Sequence, residues 1–167
     1  TFYYARELYY NHEYEKAKKY FNEFLENKDG WIENKISACL DLYSLYTILG
    51  DTNNAVNSLL KSFTFDIPRA EICCNLANYF FDIKEYETAI YWYKEASTRI
   101  FDVSKGGFYI KDCYNFIPYI GLCVCYDKLK KYEIADYYNE LAGKIKPNDK
   151  VYITNFKYFK SLGFHKM

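Results

Sequence analysis

Tyr86-Glu87-Thr88-Ala89 is the stretch on which the reading of the fold turns. It returns as Tyr14-Glu15-Lys16-Ala17 and as Tyr132-Glu133-Ile134-Ala135, and in a weaker form as Thr52-Asn53-Asn54-Ala55. The alanines Ala17, Ala55, Ala89 and Ala135 are spaced by 38, 34 and 46 residues. Recurrence at such intervals marks a chain of stacked units, each unable to bury its apolar face alone. The flanks recur too. An apolar stripe at helical spacing precedes each copy: Leu8, Leu42-Tyr46-Leu49, Leu76-Phe80-Ile83 and Leu122-Tyr126-Leu129. A second stripe follows: Phe21-Leu25, Leu59-Phe63, Tyr93-Ala96 and Tyr138-Ala142. Short polar turns separate the stripes at Asn11-His12-Glu13, Gly50-Asp51, Lys84-Glu85 and Lys130-Lys131.

The pattern resembles the tetratricopeptide (TPR) repeat over nearly the whole chain, and the middle spacing equals its period. The small place midway along the first helix is filled by Ala5, Ala77 and Cys123, while Tyr43 departs from it. One turn on stands Tyr46, Phe80 or Tyr126, with Leu8 in the first copy. The second alanine of the second helix is kept as Ala96 and Ala142 but replaced by Phe24 and Ser62. Two helices approach closely only where small side chains face each other, so a bulky residue at Ala89 would overpack the contact by ~1–3 kcal/mol. The sequence therefore predicts an all-α fold: a right-handed superhelix of about four TPR-like helix-turn-helix repeats in one domain, 1–167. The repeats fall at about 1–30, 35–67, 69–100 and 116–147, with an insertion at 97–115 and a capping helix at about 150–160.

Local signals mark the boundaries. Pro68 and Pro147 close second helices. Gly106-Gly107 marks a turn in the insertion, and Asn115 caps the next helix with Pro118 in its first turn. Asn148-Asp149 caps the last helix, with Tyr152, Phe156 and Phe159 inward and Lys157, Lys160 and Lys166 outward.

Composition excludes several function classes. Of 167 residues, 22 are basic and 22 acidic, so no charge excess draws in nucleic acid. Aromatics make up 22% of the chain, with 21 Tyr and 13 Phe, which excludes disorder. Lys outnumbers Arg 19 to 3, and Asn and Ile are abundant, so A/T-rich codons account for part of the tyrosine excess. No apolar run is long enough for a membrane span, and no signal peptide is visible. Thr1 lies inside an amphipathic pattern, as in a fragment excised from a longer protein. The six cysteines form no C-x-x-C pair and have no nearby histidine, so they read as buried small hydrophobes in a reducing, cytoplasmic setting and not as metal ligands.

More specific strings are Arg69-Ala70-Glu71-Ile72-Cys73-Cys74, Tyr86–Tyr93, Phe116–Asp127 and Tyr3-Tyr4-Ala5-Arg6-Glu7-Leu8. These resemble the helical region C-terminal to bacterial family-2 glycosyltransferases. The resemblance implies a parent enzyme that transfers sugar from a nucleotide-sugar, with its catalytic and metal-binding groups in an upstream domain. No catalytic, cofactor-binding or metal-binding residue is carried onto this chain, and no cofactor is expected.

Within the chain, His12 and His165 read as surface residues, and Asp112-Cys113 lacks a neighbouring base. Lys144, Lys146 and Lys150 read as a solvated end. In a TPR-like superhelix the first helices line a concave face. That mapping selects Arg6, Tyr9, Tyr10, Ser44, Thr47, Asn75, Asn78, Phe81, Ile120, Val124 and Asp127 as the partner-binding set. Phe2, Leu40, Cys74 and Ile120 stand where a basic carboxylate clamp would need cations. Ile120 and Val124 need cover, and the last helix or the insertion is expected to supply it over a partner chain. The expected function is a non-catalytic interaction or oligomerisation module. Its partner is a protein or peptide, reached by self-association or as the glycosylation acceptor. The alternative is a free-standing adaptor that takes a peptide or protein in its groove.

Overall fold

The computed structural model describes residues 1–165, so Lys166, assigned above to the outer face of the last helix, lies outside the described residues. Nine α-helices account for most of the described residues. They are α1 (Phe2–Tyr10), α2 (Tyr14–Glu26), α3 (Ile32–Ile48), α4 (Thr52–Lys61), α5 (Ala70–Asp82), α6 (Tyr86–Thr98), α7 (Phe116–Lys128), α8 (Tyr132–Ile145) and α9 (Lys150–Ser161). The all-α helical-repeat architecture read from the sequence is the architecture observed. Helix α3 starts a turn earlier than the repeat pattern places it. Helix α6 runs through Thr98, so the inserted connection begins at Arg99.

The helices fall into two compact units. The first comprises Thr1–Pro68 with Asp102–Phe108, the second Arg69–Phe101 with Tyr109 onward. In the first, α1 packs on α2, α2 on α3 and α3 on α4. Its core holds Ala5, Ala17, Phe21, Cys39, Leu42 and Leu45. In the second, α5 packs on α6, α6 on α7, α7 on α8 and α8 on α9. Ala77, Ala89, Leu122, Cys123, Ala135 and Phe159 fill its core, beside a smaller cluster of Ala70, Cys73, Cys74, Ala96 and Cys113. Ala17, Ala89, Ala96, Ala135 and Ala142 have no exposed surface, as close helix approach requires.

The four turns inside the repeats share one geometry. His12, Gly50, Lys84 and Lys130 adopt left-handed backbone, with φ of 62°, 74°, 65° and 58°. The next residue in each case donates its N–H at 2.9 Å to a carbonyl five positions back: Glu13 to Leu8, Asp51 to Tyr46, Glu85 to Phe80, Lys131 to Tyr126. These are Schellman closures. Their acceptors are the large residues that recur one turn after the small place. Only one of the four left-handed positions holds glycine, so three side chains bear the steric cost of that conformation.

Caps read from the sequence are in place. Asn115 Oδ1 accepts the Phe116 N–H at 2.6 Å and Asp149 Oδ1 the Val151 N–H at 2.8 Å. Asp51, read from the sequence only as a turn residue, also caps its helix: its Oδ1 accepts the Asn54 N–H at 3.1 Å. Gly106 is left-handed at φ 72°, as its turn assignment requires. The inserted connection is held to each unit separately. In the first unit, Lys105 pairs with Asp66 at 2.9 Å, and a side chain at Gly107 would collide with Glu33. In the second, buried Glu71 accepts the Ile110 N–H at 2.6 Å and the Tyr114 hydroxyl at 3.1 Å, and Phe101 stacks on Tyr109 at 3.9 Å.

Candidate functional site

In the second unit, α5 carries Asn78 and Phe81 three residues apart, and α7 carries Ile120 and Val124 four apart. Each pair therefore shares one helix face. All four meet at one cavity of about 430 Å³. Tyr93 of α6, Phe116, Ile117 and Gly121 of α7, and Val151 of α9 complete the wall. The Tyr93 hydroxyl donates to Asn78 Oδ1 at 2.5 Å, which fixes the amide in the wall of a largely apolar hollow. Gly121 is required by close approach: a Cβ there would run into the Tyr93 ring. The volume falls in the range of ligand pockets, which runs from about 300 to 1,000 Å³. An aliphatic or aromatic side chain suits such a hollow, and the wall amide can bond the backbone that bears it.

Two residues of the sequence-derived set in this unit serve other ends. Asn75 donates to the Glu71 carbonyl of its own helix at 3.0 Å. Asp127 accepts the Tyr158 hydroxyl of α9 at 2.9 Å, and that bond, with burial, pushes the Tyr158 phenol up to about 12. Ile120 and Val124 are half-buried, and α9 lends Val151 to the same wall.

The first unit presents a polar cluster on the corresponding helices. Arg6 Nε lies 3.3 Å from Asp41 Oδ2, and its Nη2 donates to the Tyr10 hydroxyl at 2.9 Å. The guanidinium sits 5.6 Å from the centres of both the Phe2 and Tyr10 rings. Burial raises the Asp41 carboxyl to about 6, against the opposing pull of Arg6. Burial also raises Tyr9, followed by the negative potential of Asp41, while a hydrogen bond with Ser44 works the other way. Arg6, Tyr9, Tyr10 and Ser44 thus converge. Thr47 instead returns its hydroxyl to the Tyr43 carbonyl at 2.8 Å.

Other side chains depart from their sequence reading. Lys146 is no solvated end: it pairs with Asp112 and lies 4.8 Å from the centre of the Phe116 ring. Lys144 and Lys150 are exposed. His165 is exposed, as its surface reading expects, and it also has partners. Its Nε2 lies 2.8 Å from Asp136 Oδ1 and 3.8 Å from Glu140 Oε1, and its ring stacks on Phe156 at 4.7 Å. The six cysteines are buried and unbridged. Burial pushes Cys39, Cys123 and Cys125 up to about 12 and Cys73 up to about 11, which suits thiols that pack and do not react.

Sequence reasoning missed Tyr93, Phe116, Ile117, Gly121 and Val151 as wall residues. Gly121 carried a usable signal. Glycine inside a helical pattern costs ~1 kcal/mol against alanine, so its presence there points to close packing. The others look like ordinary core residues until the helices are packed.

No protein-family model matches the chain, and no curated protein matches it. Among solved structures it is similar to MamA, a TPR-like helical protein, with 20% identity and a TM-score of 0.63 over 93% of this chain and 90% of that one. At that identity the likeness shows the helical-repeat fold.

Proposed function

We propose that this chain is a non-catalytic protein-interaction module that captures a peptide or protein segment by an apolar side chain in the cavity of its second unit. The observation that carries this reading is the convergence of Asn78, Phe81, Ile120 and Val124 on one hollow, with a single amide among the lining residues. Apolar walls with a few placed polar groups are the usual makeup of a binding pocket. The TPR-like fold supports a protein partner. No helix among the described residues is long and apolar enough to cross a membrane. A reducing, cytoplasmic setting is part of the proposal, supported by six unbridged cysteines. The finer reading places the module beside a family-2 glycosyltransferase domain, where it holds the acceptor or a second copy and raises its effective concentration. The strings Arg69–Cys74 and Leu122–Asp127 support that reading, and the gene upstream of Thr1 tests it.

Peptide display on the purified chain tests the binding reading. Selected peptides are expected to share an aliphatic or aromatic anchor and to lose binding when Val124→Asp places a carboxylate in the hollow. Binders without an apolar anchor, or binders indifferent to Val124→Asp, Ile120→Asp and Phe81→Ala in folded protein, would overturn it.

A further inference from the structure

Asp136 and Glu140 stand one turn apart on α8, so their carboxylates share a face. Against that face the turn after α9 brings His165, whose Nε2 points between them, 2.8 Å from Asp136 Oδ1 and 3.8 Å from Glu140 Oε1. The three ligand atoms all lie within 4.8 Å of one another. A hydrogen bond satisfies only part of this arrangement, because Nε2 carries at most one proton and serves one carboxylate at bonding distance. The second carboxylate, Glu140, has only longer contacts, to Nε2 at 3.8 Å and to the Tyr152 hydroxyl at 3.5 Å, with the Asp136 carboxylate beside it. A divalent ion among the three would engage both carboxylates and the imidazole at once. With metal–ligand bonds of about 2.0–2.2 Å, adjacent ligand atoms sit roughly 3–3.5 Å apart, so small side-chain rotations close the set.

The surroundings restrict those rotations. Asp136 is buried, with 12% of its side chain exposed. The Tyr152 hydroxyl lies 3.5 Å from Glu140 Oε1, and Phe156 stacks on the imidazole with ring planes 28° apart. Outer contacts of this kind orient metal ligands. One imidazole and two carboxylates suit a first-row divalent ion of the zinc type, with positions left for water.

We propose that Asp136, Glu140 and His165 form a zinc-type metal site that clips the turn after α9 onto α8. The clip would hold the helix whose first turn supplies Val151 to the cavity wall. It stands independently of the binding reading above.

Titration of the intact chain with Co²⁺ tests it, since cobalt reports its own ligands. Saturable binding of one equivalent is expected, with weak visible bands, no thiolate charge-transfer band, and displacement by Zn²⁺. Zn²⁺ is expected to raise the melting temperature and a chelator to reverse the rise. Glu140→Gln preserves the His165–Asp136 contact but removes a ligand. It and His165→Ala should each weaken binding by about tenfold or more, at least what loss of an outer-shell partner costs. Absence of saturable binding would overturn the site. So would a thiolate band, or binding and thermal shift unchanged in both variants.

Discussion

The two units place different chemistry on equivalent helix faces. In the first, α1 and α3 offer Arg6, Asp41, Tyr9, Tyr10 and Ser44, a charged and hydroxyl-rich cluster that satisfies much of its own bonding potential. In the second, α5 and α7 offer Phe81, Ile120 and Val124 around an open hollow. The repeat pattern is alike in both, with the first alanine of each second helix buried (Ala17, Ala55, Ala89 and Ala135) and the same Schellman turns. A repeat therefore constrains the positions that touch the partner helix, and leaves the outward positions of the first helix free to specify a surface. The polar cluster is held by the Arg6–Asp41 ion pair and the Arg6–Tyr10 hydrogen bond, although Arg6 Nε and Asp41 Oδ2 are buried without a hydrogen bond. The apolar hollow offers open volume instead.

The largest effect expected from breaking this contrast is at Gly121. Gly121→Leu gains ~1 kcal/mol of helix propensity, yet its Cβ alone would meet the Tyr93 ring. Overpacking of ~1–3 kcal/mol or more should win. Chemical denaturation is expected to show a less stable protein, and the selected peptides should bind more weakly. A variant as stable as the parent would show that the wall of the second unit is not close-packed there.

Asp41 sharpens the contrast from the first unit. Its carboxyl is raised from an ordinary 3.8 to about 6. A raised folded-state value means that the folded protein binds the proton more tightly. The associated stability is present below about pH 4 and is lost as pH rises through 6. Each tenfold gain in proton affinity is worth ~1.4 kcal/mol, so the loss amounts to about 1–3 kcal/mol. Denaturation of the parent and of Asp41→Asn at several pH values gives the difference. It should change across pH 4–6 and stay level from pH 7 to 8. A difference flat throughout would mean that Asp41 is solvated.

The smallest effects lie in the turns that the units share. Lys84→Gly and Lys130→Gly relieve a left-handed side chain and should stabilise by up to ~1 kcal/mol each. Gly50→Ala should destabilise by a similar amount, since its φ of 74° disfavours any Cβ. Melting temperatures that move the same way in all three variants would contradict the common turn geometry.

Much of the fold was legible in the sequence. Ala89, Tyr86 and Phe80 announce a helix pair because helix contact demands a small residue at one place and large ones beside it. Those demands are local and periodic, so they repeat in the chain. Asn115 and Asp149 were legible as caps for a similar reason, because a cap bonds an N–H one or two residues away. The hollow was half legible: helical spacing selects Asn78, Phe81, Ile120 and Val124, but Tyr93 and Val151 join them only through packing.

The sequence by itself determined the all-α repeat, the buried alanines and the caps, since each follows from spacing along one chain segment. Tertiary structure alone decided three things. It closed a cavity with side chains from four helices, drew Lys146 onto Asp112, and set His165 against Asp136 and Glu140. These depend on distances between residues far apart in sequence. No local periodicity encodes them; they arise when buried apolar area fixes one helix against the next.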